Sequence, residues 1–100
     1  MSNHQQWHLY ILRCADDTLY TGITLDLERR FEEHNSNGPK CAKYLRGRQP
    51  LTMIYHTEFD DKSAALKAEL KVKKLTKAQK KLLASGKLVI NEIAASKTHH

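Results

Sequence analysis

Five side chains of types that move protons or hold phosphate stand out: Tyr10, Tyr20, Arg30, His34 and Glu69. Phenols and an imidazole become proton acceptors or donors once their surroundings tune them. A guanidinium offers a planar fork of donors that matches phosphate, and a single carboxylate can hold a hydrated divalent cation. Gathered on one side of a small sheet, these are the parts that phosphodiester hydrolysis needs. Singly, none is specific. A helix-borne Arg beside Glu28 and Glu33 reads equally as a solvated ion pair, a lone His as packing, and two tyrosines on one strand face as cross-strand contact. Glu69 is the sharpest of the five. From Lys62 to Lys81 there are eight lysines and one acid, and that acid has Ala65, Leu66 and Val72 at i−4, i−3 and i+3, on the apolar stripe of a helix. A carboxylate facing a core needs a partner, either a bound cation or a lysine at i±4.

The elements that must position these groups follow from local pattern. Trp7 to Cys14 and Thr18 to Ile23 are rich in β-branched, aromatic and aliphatic residues and read as two strands. Ala15, Asp16 and Asp17 join them, and Asp tolerates the left-handed backbone that a three-residue hairpin loop uses. Pairing Cys14 with Thr18 sets Leu12 opposite Tyr20 and Tyr10 opposite Gly22, so both tyrosines share a face. Gly22, with no side chain, leaves room for something to approach the Tyr10 ring. Thr24 is the expected cap of a helix from Leu25 to about Asn35, with Asp26 and Glu28 in its first turn. On it, Leu27 and Phe31 form an apolar pair, with Arg30 and His34 beside them. Ser36 to Pro50 holds turn residues and four cations without an acid, which predicts a mobile basic loop. Leu51 to Phe59 reads as a third strand and Lys62 to Lys74 as a helix. Thr76 and Gln79 form a capping box for a further short helix that Ser85 and Gly86 stop. The order strand, strand, helix, strand, helix, helix predicts an α/β (α+β) sandwich: a three-stranded antiparallel sheet flanked by helices.

Composition sets the limits around this site. One hundred residues, 40% hydrophobic and 28% charged, fit one globular domain burying roughly 65% of its unfolded surface. The expected division is a flexible N-terminus over 1–6, the domain over 7–84 and a partly disordered extension over 85–100. The apolar runs fall far short of the roughly 20 residues that cross a bilayer, and the start lacks the order of an export signal, so a cytosolic protein without a membrane partner is expected. Cys14 and Cys41 form no C-x-x-C pair and read as reduced packing residues. The net charge of +6 is uneven: residues 1–61 carry 7 Lys and Arg against 9 Asp and Glu, residues 62–100 carry 10 against 2. That asymmetry suits a polyanionic partner.

The run LYI followed by YTGI, Arg30 eight residues after Gly22, His34 four further on and the helix-borne Glu69 resemble the GIY-YIG nuclease domain over about Trp7 to Lys80. EEHN, AKYLRGRQP and AALKAE bring the chain near the small stand-alone bacterial YhbQ-like proteins of that superfamily. It departs from the namesake triplets in reading His8-Leu9-Tyr10 for Gly-Ile-Tyr and Tyr20-Thr21-Gly22 for Tyr-Ile-Gly, which costs backbone permissiveness at His8 and an aliphatic side chain at Thr21. The resemblance implies a small GIY-YIG sandwich and a divalent-metal-dependent endonuclease hydrolysing DNA phosphodiester bonds, in repair or recombination. Glu69 then holds one Mg²⁺ or Mn²⁺ and Arg30 meets the phosphate. Tyr10 or Tyr20 accepts a proton, with Tyr10 favoured, and His34 relays a proton or binds phosphate. Lys40, Lys43, Tyr44, Arg46 and Arg48 form the expected nucleic-acid-binding loop, the tyrosine stacking on an unpaired base. DNA is the expected partner, with RNA, a targeting protein and the oligomeric state left open. The rival readings are a non-catalytic nucleic-acid-binding protein on the same fold and, last, a basic module docking on an acidic protein.

Overall fold

The computed structural model describes residues 6–89. The expected N-terminal tail, apart from Gln6, and the expected extension beyond Val89 lie outside the described residues. The elements are β1 (Trp7–Arg13), β2 (Leu19–Thr24), α1 (Leu27–Asn35), a short 3₁₀ turn (Lys43–Leu45), β3 (Thr52–Phe59), α2 (Lys62–Lys73) and α3 (Lys77–Ala84). They form the expected three-stranded antiparallel sheet with three helices, in the order β2-β1-β3. Among the described residues no helix is long and apolar enough to cross a membrane.

The central strand β1 is apolar on both faces because both are covered. Leu9 and Ile11 are fully buried with Ala68, Val72 and Leu83 under α2 and α3. On the opposite face Tyr10, Leu12 and Cys14 bury against Cys41, Leu45 and Leu51, with Leu27 and Phe31 of α1 beside them. Each fully buried aliphatic side chain contributes about 1.5–3 kcal/mol. Both cysteines are free and buried, as expected of packing residues.

The hairpin has the expected register: Leu12 pairs with Tyr20 and Tyr10 with Gly22. Asp17 takes the left-handed conformation, φ 68°, and the Cys14 N–H donates to Thr18 O at 2.8 Å. A register shift between Ile11 and Leu12 inserts Ile54 into β3 as a bulge, which no sequence signal announces. The capping box of Thr76 and Gln79 starts α3 as expected.

Three local expectations change. Asp26, not Thr24, caps α1: its Oδ1 accepts from Arg29 N at 3.1 Å, while Thr24 remains in β2 opposite His8 and the helix starts at Leu27. The basic loop is fastened rather than mobile. Cys41 and Leu45 are buried, Gly47 N donates to Asn37 Oδ1 at 3.1 Å, and Leu51 N donates to Asn35 Oδ1 at 3.0 Å. Finally, the room above Gly22 is filled from within. A Cβ there would stand 2.5 Å from Tyr10 Oη and 2.7 Å from its Cζ.

Two substitutions on β2 test this packing. Gly22→Ala drives a methyl into a buried ring, and urea unfolding is expected to register a loss of about 1–3 kcal/mol. Thr21→Val removes a buried hydroxyl that has no partner, so its unfolding midpoint is expected to hold or rise.

Candidate active site

Four of the five singled-out residues meet on the α1 side of the sheet. Tyr10, 2% exposed, reaches His34 from the middle of β1, and its Oη lies 2.9 Å from His34 Nε2. His34, on the inward face of α1 and fully buried, receives the Ala42 N–H on Nδ1 at 3.3 Å. A nitrogen that accepts carries no proton, so the neutral ring bears its hydrogen on Nε2 and donates it to Tyr10. Tyr10 Oη is therefore an acceptor toward His34, and its own O–H is free to point elsewhere. The backbone around His34 is equally committed: its carbonyl accepts from Gln49 Nε2 at 2.7 Å and from Cys41 Sγ at 3.2 Å.

Tyr20, half-buried on β2, lies 6.3 Å from Tyr10 and 5.5 Å from His34 between ring centroids. Arg30 stands one turn before His34 on α1, and its Nη1 donates to Glu33 Oε1 and to Lys40 O, both at 2.9 Å. Those two anchors fix the guanidinium plane.

Glu69 approaches from α2, which covers the opposite face and packs over the β2 edge. Its side chain is 15% exposed and pairs with Lys73 at 3.4 Å, one of the lysines foreseen at i+4. Leu66, expected to border it, is 41% exposed, so the buried stripe is Ala65, Ala68 and Val72, with Glu69 at its margin. The carboxylate is nonetheless close enough for its charge to act on both phenols.

Charge and burial tune the cluster. Burial, with Tyr20 and Glu69 adding, pushes Tyr10 well above the ordinary phenol range, while Arg30 pulls the other way. Tyr20 is raised by burial and eased by Arg30 and Lys73. His34 is lowered to about 4, first by burial and then by the Arg30 charge. It is neutral at physiological pH, enclosed and engaged at both nitrogens, so the phosphate-binding role is closed to it and its visible action is the hydrogen bond to Tyr10.

The basic loop joins the site through Tyr44, which stacks on Tyr20 at 6.0 Å and 24°. Its cations are partly spoken for. Arg48 lies over the Tyr44 ring at 4.5 Å, donates to Tyr44 O and pairs with Asp16. Arg46 donates to Pro39 O at 3.3 Å, and Lys40 and Lys43 are exposed. One ring face lies under Arg48 and Tyr20 stacks on the ring, yet Tyr44 is 45% exposed and keeps surface open to a base. The sequence reading missed Gln49, Ala42 and Lys40 O as supports of His34 and Arg30. They act through side-chain-to-backbone bonds across the loop, which leave no periodic trace.

Among the described residues no group of three or more His, Cys, Asp and Glu comes together to cage a metal. Glu69, whose charge reaches both phenols, is the carboxylate that would hold a hydrated divalent ion, which keeps most of its waters and needs few protein ligands.

Residues 6–82 match the family model described as the GIY-YIG catalytic domain. A UPF0213 protein of Cupriavidus necator is 49% identical over 81% of this chain and 86% of its own. The UPF0213 protein YhbQ of Escherichia coli is 48% identical over 90% of this chain and 88% of its own. Two solution structures share the fold. A UPF0213 protein of Bacillus halodurans is 36% identical with a TM-score of 0.53, covering 95% of this chain and 99% of its own. A protein from E. faecalis is 35% identical with a TM-score of 0.59, covering 100% and 96%.

The depressed His34 value predicts a pH dependence of stability. The unfolded chain takes up a proton near pH 6.5, the folded chain only near 4, so the contribution is complete above 6.5 and is lost as the pH falls toward 4. The urea midpoint is expected to drop between pH 6.5 and 5, above the range where the carboxylates titrate, and this slope is expected to flatten in His34→Gln.

Proposed function

The chain belongs to the GIY-YIG family of nuclease domains, and from that premise we propose that it is a divalent-metal-dependent endonuclease cutting DNA phosphodiester bonds in the cytosol, in the service of repair or recombination. The observation that carries this reading is the buried Tyr10–His34 hydrogen bond, with Tyr20, Arg30 and the Glu69 charge around it. A purely structural tyrosine would be equally served by any partner. Here the partner's fixed tautomer makes Tyr10 Oη an acceptor, the polarity a general base requires.

Glu69 would hold the ion, exchanging its pairing with the half-exposed Lys73 for the greater positive charge of the metal. When bound, the ion supplies Lewis-acid polarisation of the phosphate and charge stabilisation of the leaving oxygen. Tyr10 accepts the proton of the attacking water. Because burial raises its pKa, it needs the adjacent positive charge of Arg30 and the Nε2–H of His34 to reach the phenolate. Arg30, with Nη1 occupied by Glu33 and Lys40 O, turns its remaining donors to charge building on the phosphate. Tyr20 orients water or phosphate. His34 is a positioning residue in this scheme, acting only through Tyr10. Lys40, Lys43 and Arg46 hold the DNA backbone, while Tyr44 and Arg48 shape the loop at its contact with the site. Targeting comes from this basic surface or from a partner protein.

Glu69→Gln is expected to abolish Mg²⁺- or Mn²⁺-dependent cleavage of labelled linear, flapped and branched DNA while binding and unfolding midpoint stay near wild type. Tyr10→Phe is expected to slow cleavage by about 10²–10⁴-fold. In His34→Ala the rising limb of the pH–rate profile should move to higher pH, because Tyr10 loses its donor. Cleavage by Glu69→Gln at the wild-type rate would reject the mechanism. Salt-sensitive binding with no metal-dependent cutting by the wild type would favour the non-catalytic binder.

A further inference from the structure

Beside the tyrosines, along the open edge of β2, lies a cavity of about 250 Å³ lined by Leu19, Tyr20, Thr21, Tyr44, Lys73 and Lys80. It is open to solvent and lies just below the roughly 300 Å³ at which small-molecule pockets usually start, so it has room to seat part of one monomer unit and not a stretch of polymer. Four features of its lining converge on the same chemistry.

The first is charge. Lys73 and Lys80 come from α2 and α3, and only Lys73 has an acidic partner, Glu69. Lys80 is half-buried and forms no ion pair among the described residues; burial and the neighbouring Lys73 lower its pKa. Two neighbouring ammonium groups, of which only Lys73 is paired with a carboxylate, are best relieved by an anion. The second is the aromatic wall of Tyr20 and Tyr44, held in place on its outer side by Arg48. Such a wall suits a flat ring.

The third is the strand edge. The Cys14–Thr18 hydrogen bond makes that pair a bonded one, and in an antiparallel ladder bonded pairs alternate. Leu12–Tyr20 is then bonded to β1, and the N–H and C=O of Leu19 and Thr21 point to the open edge. No hydrogen bond from another described element reaches them. The fourth is Thr21 itself. Its side chain is 3% exposed and Oγ1 has no partner, at the position where this chain departs from the aliphatic residue of the YIG triplet.

We propose that this cavity is a subsite for one unpaired nucleotide, with its phosphate between Lys73 and Lys80 and its base against the Tyr20–Tyr44 wall and the β2 edge. The inference takes its ligand class from the nucleic-acid reading above but does not depend on turnover. It narrows the substrate to nucleic acid with an unpaired residue beside the cleavage point. The same chemistry also fits a free mononucleotide.

The test uses the full chain with chelator present, so that no cutting occurs. Adenosine 5′-monophosphate, titrated into ¹⁵N-labelled protein, is expected to shift the amides of Leu19, Thr21, Tyr44 and Lys80. Adenosine and inorganic phosphate should each bind about ten-fold more weakly, and Lys80→Gln should weaken the nucleotide by about ten-fold, the loss of one charge-assisted hydrogen bond. By fluorescence anisotropy, tighter binding of a duplex with a one-nucleotide flap than of the fully paired duplex assigns the pocket to a strand. Equal binding of the two, with the monophosphate still bound, assigns it to a free nucleotide. No shift at those amides, unchanged affinity in a folded Lys80→Gln, phosphate alone binding as well as the nucleotide, or preference for a phosphotyrosine peptide would each overturn the proposal. A protein that cuts DNA yet fails here loses only the subsite; one that binds the nucleotide yet never cuts loses only the hydrolysis.

Discussion

The hydrogen bond between Tyr10 and His34 is the constraint around which the α1 side of the molecule is arranged. Both rings are buried, and a buried polar group without a partner costs about 1–3 kcal/mol. Satisfying one ring commits the next piece of chain. His34 Nδ1 requires an N–H, which Ala42 supplies, and the His34 carbonyl at the end of α1 is met by Gln49 and Cys41. Those contacts draw the 36–50 segment across the helix. Once there, the segment offers Lys40 O to Arg30 and Tyr44 to Tyr20. The loop that reads as a solvated basic stretch is thus the scaffold of the site.

The same hydrogen bond explains why Gly22 sits opposite Tyr10. To reach His34 the phenol has to lie across β2, and any Cβ at position 22 would overlap it. The glycine serves neither a turn nor an unusual backbone angle; it supplies empty volume. The electrostatics follow from the enclosure. A histidine sealed beside an arginine stays neutral, and only a neutral imidazole with one committed nitrogen can direct its single proton at a phenol. Burial therefore sets the histidine's protonation state and raises the phenol at once, and Arg30 is the nearby charge that eases the second effect.

How much of this is legible in the sequence depends on the range of the interaction. The hairpin register, the shared face of Tyr10 and Tyr20, the α3 capping box and the lysine partner of Glu69 are all local. They rest on alternation, turn chemistry or i, i+4 spacing, and each can be read from a few consecutive residues. The start of α1 is a near miss of the same kind: Thr24 and Asp26 are both good caps, and pairing with His8 keeps Thr24 in the strand. The fastened loop, the Ile54 bulge and the filled space above Gly22 are different. Each is decided by a partner at least seven residues away, with no periodic signature, and Tyr10 and Gly22 can be paired from the sequence without revealing which way the ring falls.

The departures from the GIY-YIG triplets make the last link between sequence and site. Among the described residues, the buried side-chain atoms without a hydrogen-bond partner are His8 Nδ1 and Thr21 Oγ1, and these fall at two of the three positions where the chain differs from the triplets it resembles, the third being the aliphatic exchange at Leu9. At His8 the nearby Glu58, 3.9 Å away, offers a charge but no hydrogen bond. At Thr21 the hydroxyl is enclosed, on a residue that borders a cavity whose other polar members are two tyrosines and two lysines. Sequences tend to satisfy every local rule at once, and where they break one without compensation in the fold, the gain lies outside it. An aliphatic side chain would pack against Ile11 equally well, so packing does not account for the hydroxyl. In the subsite proposed above, the nucleotide is the source of an acceptor for it.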